Sequence, residues 1–140
     1  MQPKNKIKSE PNKIKDMNAL LIDETKGTPR VRLYPNGDML IEGRSLPEDP
    51  AGFYTPILEW IRNCQAETVS IDIRLEYMNT SSSKEMYNFF KIIKDNVYIK
   101  NVTVNWYFEE GDDDGYDVGC EFESFTKIPF RFHEYAEALD

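Results

Sequence analysis

Residues 68–78, "TVSIDIRLEYM", alternate apolar and polar side chains without a break. Val69, Ile71, Ile73, Leu75 and Tyr77 fall on one side; Ser70, Asp72, Arg74 and Glu76 fall on the other. Successive strand side chains point to opposite faces, so the stretch predicts a strand with one dry face and one wet face. A sheet covered by helices on both faces carries continuous apolar strands instead. The period then changes. In "SSKEMYNFFKIIKD" (82–95), Met86, Phe89, Phe90 and Ile93 recur at i, i+3, i+4 and i+7, which predicts a helix with one core stripe. "NVTVNWYFEE" (101–110) returns to alternation with Val102, Val104, Trp106 and Phe108 inward, and "IPFRFHEY" (128–135) predicts a last short strand.

The upstream half reads in the same way. "ALLID" (19–23) predicts a first strand, and "VRLYPNGDMLIEG" (31–43) a hairpin closed by a type I′ turn at Asn36-Gly37. "SLPEDPAGFYTPILEWIRNC" (45–64) predicts a helix with Asp49 as N-cap and Pro50 at its first position. Phe53, Ile57, Leu58, Ile61 and Cys64 form its core face, and Pro56 implies a kink or a later start. After the acidic loop "EEGDDDGYD" (109–117), "VGCEFESFTK" (118–127) predicts a short third helix.

The resulting order is β-β-β-α-β-α-β-α-β. Strand–helix–strand crossovers are right-handed almost without exception. If successive strands add in one direction, every crossover helix lands on one side. The expected fold class is therefore two-layer α/β, a mixed sheet with helices packed on one face. The lysine- and proline-containing residues 1–17 read as a disordered basic tail and residues 18–140 as one domain.

Charge narrows the partners. The chain of 140 residues has a formal net charge of −8. Residues 1–16 carry five lysines against Glu10 and Asp16, so the remainder is more acidic still. An acidic folded part is poorly suited to nucleic acid or to an anionic membrane, and better suited to a basic protein surface. The N-terminus has no apolar signal region, so a cytoplasmic location is expected. Cys64 and Cys120 lack metal or redox spacing and read as free thiols.

Catalytic motifs are scarce. There is no phosphate-binding glycine loop, nucleophile elbow or zinc-binding His pair. His133, the single histidine, has no nucleophile motif beside it and reads as an edge residue. Glu109, Glu110, Asp112, Asp113, Asp114 and Asp117 lack the spacing of a calcium loop. They read as a wet loop, a negative first helical turn or a docking surface for a basic partner. No cofactor is expected.

That leaves "NTSSSK" (79–84) at the strand-to-helix junction. Asn79, Thr80, Ser81 and Ser82 are all N-cap types, and Ser82 with Glu85 has capping-box spacing. A helix N-terminus also welcomes a phosphate, through its free N–H groups and partial positive charge. One of the hydroxyls is therefore a chemically sensible phosphorylation site as well as a cap.

"TPRVRLYPNGDMLIEGRSLPEDP", "FYTPILEWI", "LEYMNTSSSK" and "VNWYFEEGDDD", in this order, resemble the SiaC-type bacterial regulatory phosphoproteins, relatives in fold of anti-sigma-factor antagonists and STAS domains. The resemblance covers most of 18–135. It implies a STAS-like sheet with helices on one face and a non-enzymatic, partner-switching function. In the family a GHKL-type serine/threonine kinase adds a phosphate and a PP2C-type phosphatase removes it. The unmodified form binds a downstream effector, in some members a diguanylate cyclase. The family's phosphorylated threonine aligns with Thr80. Asn79, Ser81, Ser82, Tyr77, Glu85, Asp112 and Asp113 are then the expected partner-binding surroundings. The alternative is a STAS-type module holding a small anion or nucleotide at the same helix start.

Overall fold

The computed structural model describes residues 17–136; the expected basic tail, 1–17, lies outside them except for Met17. The elements are β1 (Leu20–Ile22), β2 (Arg30–Leu33), β3 (Asp38–Ser45), α1 (Pro50–Arg62), β4 (Thr68–Met78), α2 (Thr80–Asp95), β5 (Asn101–Glu109), α3 (Asp113–Thr126) and β6 (Phe130–Tyr135). The six strands form one mixed sheet in sequential order. β1, β2 and β3 run antiparallel, and β3 to β6 pair in parallel. All three parallel crossovers progress in the same direction, so their right-handedness puts the three helices in one layer. This is the mixed, one-sided α/β architecture expected from the alternating strands.

The core lies between sheet and helices. Val31, Leu33, Ile41, Val69, Ile71, Ile73, Val104 and Trp106 come from the sheet, and Tyr54, Ile57, Ile61, Met86, Phe89, Phe90 and Phe122 from the helices. The apolar stripe of α2 is the one its sequence predicts. Gly119 lets α3 lie close to the sheet: a β-carbon there would come within 2.6 Å of the Trp106 ring.

Four expectations change in detail. The hairpin turn is not type I′, because Asn36 has negative φ and Gly37 alone is left-handed, at 101°. The observed turn has Pro35 and Asn36 as its central residues, and Pro35, held near −65°, suits the first of them in a type I turn. The Gly37 N–H donates to the Tyr34 carbonyl over 2.9 Å, giving a turn with Pro35 leading and a glycine bulge after it. A side chain at Gly37 would also strike the Thr68 carbonyl.

The alternation of β4 fails at its carboxyl end. Gly43 pairs with Leu75, yet Arg44 pairs with Tyr77, so one extra residue is accommodated on β4. The slip exposes Tyr77, whose ring lies beneath the Arg44 guanidinium at 5.3 Å, and leaves Leu75 only partly buried. A bulge of this kind redirects the side chains that follow it.

α1 runs through Pro56 from the expected start at Pro50. In it Tyr54 is fully buried, whereas Phe53 and Leu58 of the expected core face are only partly so. α3 begins five residues earlier than expected, at Asp113, with Asp112 accepting from the Gly115 N–H. Much of the acidic loop is thus a helix cap and a first turn, where negative charge complements the dipole. His133 lies on the edge strand β6, bonded to Asn105 at 3.0 Å and stacked on Tyr107.

Candidate functional site

α2 starts where β4 ends, and the bonds at that junction decide which hydroxyl does what. The N-cap is Asn79: its extended backbone turns the chain, and its Oδ1 accepts from the Ser82 N–H at 2.9 Å. The Ser82–Glu85 capping box anticipated from the sequence does not form, since the helix has begun two residues before Ser82. Thr80 is the first helical residue and is exposed. Among the described residues its hydroxyl takes part in no hydrogen bond.

Ser82 has the opposite fate. It is fully buried, together with Ser45 from the end of β3 and Tyr54 from α1. Ser45 Oγ donates to Ser82 Oγ at 2.7 Å, and Ser82 Oγ donates to the Ser45 carbonyl at 3.0 Å. Each serine has one hydroxyl proton, so the 2.6 Å contact between Tyr54 and Ser45 is donated by the phenol. The Ser45 carbonyl also accepts from the Asn79 N–H at 3.0 Å. One residue of β3 therefore holds both shoulders of the turn that carries Thr80. Burial pushes the Tyr54 phenol above its ordinary pKa, with the Ser45 and Ser82 bonds opposing and the Glu85 carboxylate adding to the rise.

Thr80 lines one depression, and a second adjoins that one at Val118. The larger, about 530 Å3, runs between α2 and α3 and is lined by Thr80, Lys84, Tyr87, Val118, Phe122 and Phe125. Phe125 is 68% exposed and meets Tyr87 edge-on, an unusual amount of aromatic surface to leave in water. The smaller, about 290 Å3, joins Tyr77, Met78 and Trp106 to Asp112, Asp114 and Val118. The Trp106 indole N–H donates to the Gly115 carbonyl at 2.9 Å, which fixes the first turn of α3 against β5.

The expected surroundings of Thr80 thus divide. Tyr77 and Asp112 line the smaller depression. Asn79 caps its helix and Ser82 anchors that helix from inside, so neither offers the surface its sequence position suggested. Ser81 and Asp113 are exposed and Glu85 is half-buried, and none of the three lines either depression. Lys84, Tyr87, Val118 and Phe125 were not anticipated. Lys84 and Tyr87 had a readable signal, being four and seven residues after Thr80 on one helical stripe. Among the described residues no three His, Cys, Asp or Glu side chains converge to hold a metal ion, and no helix is long and apolar enough to cross a membrane.

Known proteins share this fold. SiaC of Pseudomonas aeruginosa matches the fold with a TM-score of 0.76 at 23% identity, covering 85% of this chain and all of that one. SiaC from the same organism, solved in complex with the diguanylate cyclase SiaD as its activator, matches with 0.76 at 23% identity over 83% and 99%. An uncharacterized protein of P. aeruginosa strain UCBPP-PA14 is 24% identical over 126 residues, covering 86% of this chain and all of its own. Residues 22–135 match the model of the SiaC family of regulatory phosphoproteins, and the chain belongs to that family.

Proposed function

We propose that the protein is a non-enzymatic switch whose state is the phosphorylation of Thr80. A GHKL-type serine/threonine kinase adds the phosphate and a PP2C-type phosphatase removes it. The unmodified form binds and activates a downstream effector, a diguanylate cyclase as for the SiaC bound to SiaD. The observation that carries this reading is the position of Thr80: an unengaged, exposed hydroxyl at the first residue of a capped helix, on the rim of an apolar groove.

The physics suits a switch. Free N–H groups at the helix start and the partial positive charge there stabilise an added phosphate. The fold then survives modification, while the surface gains about −1.5 to −2 charges beside apolar side chains. A partner that dries this groove would have to desolvate that charge, at a penalty of several kcal/mol when it is unpaired. Unmodified protein binds the effector, and modified protein releases it.

Intact-mass and phosphopeptide measurements on the protein from its own host test the reading, with Thr80→Ala as control. Phosphate on Thr80 that vanishes in the control is expected. Thr80→Asp is expected to bind the host's diguanylate cyclase at least tenfold more weakly than wild type. An unmodified Thr80 under every growth condition, or equal binding by Thr80→Asp, removes the basis of the proposal.

A further inference from the structure

The run Thr80-Ser81-Ser82-Ser83 offers four hydroxyls in sequence, and something in the fold must choose among them. We infer that the buried chain Tyr54–Ser45–Ser82 selects the acceptor, so that Ser45 and Tyr54, far away in sequence, are positioning residues for Thr80. This deepens the switch reading and rests on it.

The argument is one of helix phase. Successive residues of an α-helix are turned by about 100°. Ser82 is locked inward by hydrogen bonds of 2.7 and 3.0 Å to Ser45. Thr80, two residues earlier, is thereby turned about 200° away and faces outward. Ser81 is turned to one flank and Ser83 to the other, which is half-buried on the groove side. The stripe Met86, Phe89, Phe90 and Ile93 sets the phase of the helix body, and the inward lock holds the first turn to that phase.

The lock has one sense throughout. Tyr54 donates to Ser45, Ser45 to Ser82, and Ser82 back to the Ser45 carbonyl, which leaves no hydroxyl proton of the chain unused. All three residues are fully buried, so water cannot replace a lost member cheaply. The same carbonyl holds the Asn79 N–H. The two residues flanking Thr80-Ser81 are therefore fixed to one point of β3. In the transfer itself, the Thr80 Oγ1–P bond forms as the terminal P–O bond of a nucleoside triphosphate breaks. The nucleoside diphosphate leaves and the hydroxyl proton is released. Such a displacement requires the acceptor oxygen in line with the leaving group, so a rotated helix start presents the wrong oxygen.

The test compares full-length wild type, Tyr54→Phe and Ser82→Ala produced in the native host, with site-resolved phosphopeptide quantification. Ile61→Val, a buried core variant outside the chain, serves as a stability control. Thr80 occupancy is expected to fall at least fivefold in Tyr54→Phe and Ser82→Ala, with phosphate appearing on Ser81 or Ser83, and to stay within twofold in Ile61→Val. Occupancy within twofold of wild type in both chain variants, or an equal fall in the control, overturns the inference and leaves the switch reading standing. Wild type without phosphate on Thr80 overturns both.

Discussion

Asn79 and Ser82 hold the start of α2 from opposite sides, one through its side-chain amide at the surface and one through a buried hydroxyl. The sequence marks both as capping types and does not rank them. The ranking comes from the neighbours. Ser82 lies one turn before Met86, on the stripe that continues through Phe89, Phe90 and Ile93, and that phase is what buries it. Its partners Ser45 and Tyr54 are brought in by β3 and α1, so no local pattern announces them. Thr80 is singled out in the sequence only by the family resemblance, and in the structure its hydroxyl differs from its neighbours in exposure and phase rather than in type. Asn79→Ala removes the cap. A loss of about 1 kcal/mol in unfolding free energy is expected by urea titration. Asn79→Asp keeps an acceptor at the cap and is expected to stay within about 0.5 kcal/mol of wild type.

At the scale of the element, β4 shows where alternation can be trusted. Its first half follows the pattern: Val69, Ile71 and Ile73 are fully buried. Its second half does not, because the pairing with β3 slips by one residue after Gly43. The apolar-polar rhythm of 68–78 carries no sign of that slip, since Leu75 and Tyr77 continue it in sequence while the backbone departs from it in space. The position of Gly43 on the neighbouring strand, at φ 124°, is the structural correlate, and it is visible only once the strands are paired. With the slip in place, Tyr77 lines the smaller depression, which shares Val118 with the groove at Thr80. Two substitutions separate the halves. Ile73→Ala is expected to cost about 2–5 kcal/mol, as for a large residue removed from a packed core. Tyr77→Ala, losing an exposed ring and its contact with Arg44, is expected to cost less than about 1 kcal/mol. Equal losses in the two variants would return Tyr77 to the core face that uninterrupted alternation assigns it. In the third helix, of the readings open to the aspartates, wet loop, negative first turn or docking surface, Asp112, Asp113 and Asp114 take that of cap and first turn of α3, because carboxylates suit that end of a helix.

Across the whole molecule, the order of elements and the single helical layer followed from two rules, wet-faced strands and right-handed crossovers, and both were readable before any contact was known. What no pattern contained was the buried polar chemistry within that layer, and it has a consequence for stability in alkali. Burial raises the pKa of the Tyr54 phenol, and likewise that of the Cys64 thiol. Both groups stay neutral in the folded protein at a pH where the unfolded chain has begun to ionise them, near 8.5 for a thiol and 10 for a phenol. Below those values neither group makes stability depend on pH. As pH rises past them, the unfolded state binds fewer protons than the native state, so unfolding becomes progressively easier until the folded values are reached. Unfolding midpoints in urea are therefore expected to be level between pH 7 and 8 and to fall from about pH 9 upward. The contribution of Tyr54 to that slope is at most about 1.4 kcal/mol per pH unit. Tyr54→Phe has no phenol to ionise. Its midpoint is expected to start lower at neutral pH, through the buried hydrogen bond that Ser45 Oγ no longer accepts, and to decline less steeply above pH 10 than that of wild type. Parallel alkaline slopes for the two proteins would mean that the Tyr54 phenol is not held neutral by its burial, and would remove it as the fixed donor at the head of the Ser45–Ser82 chain.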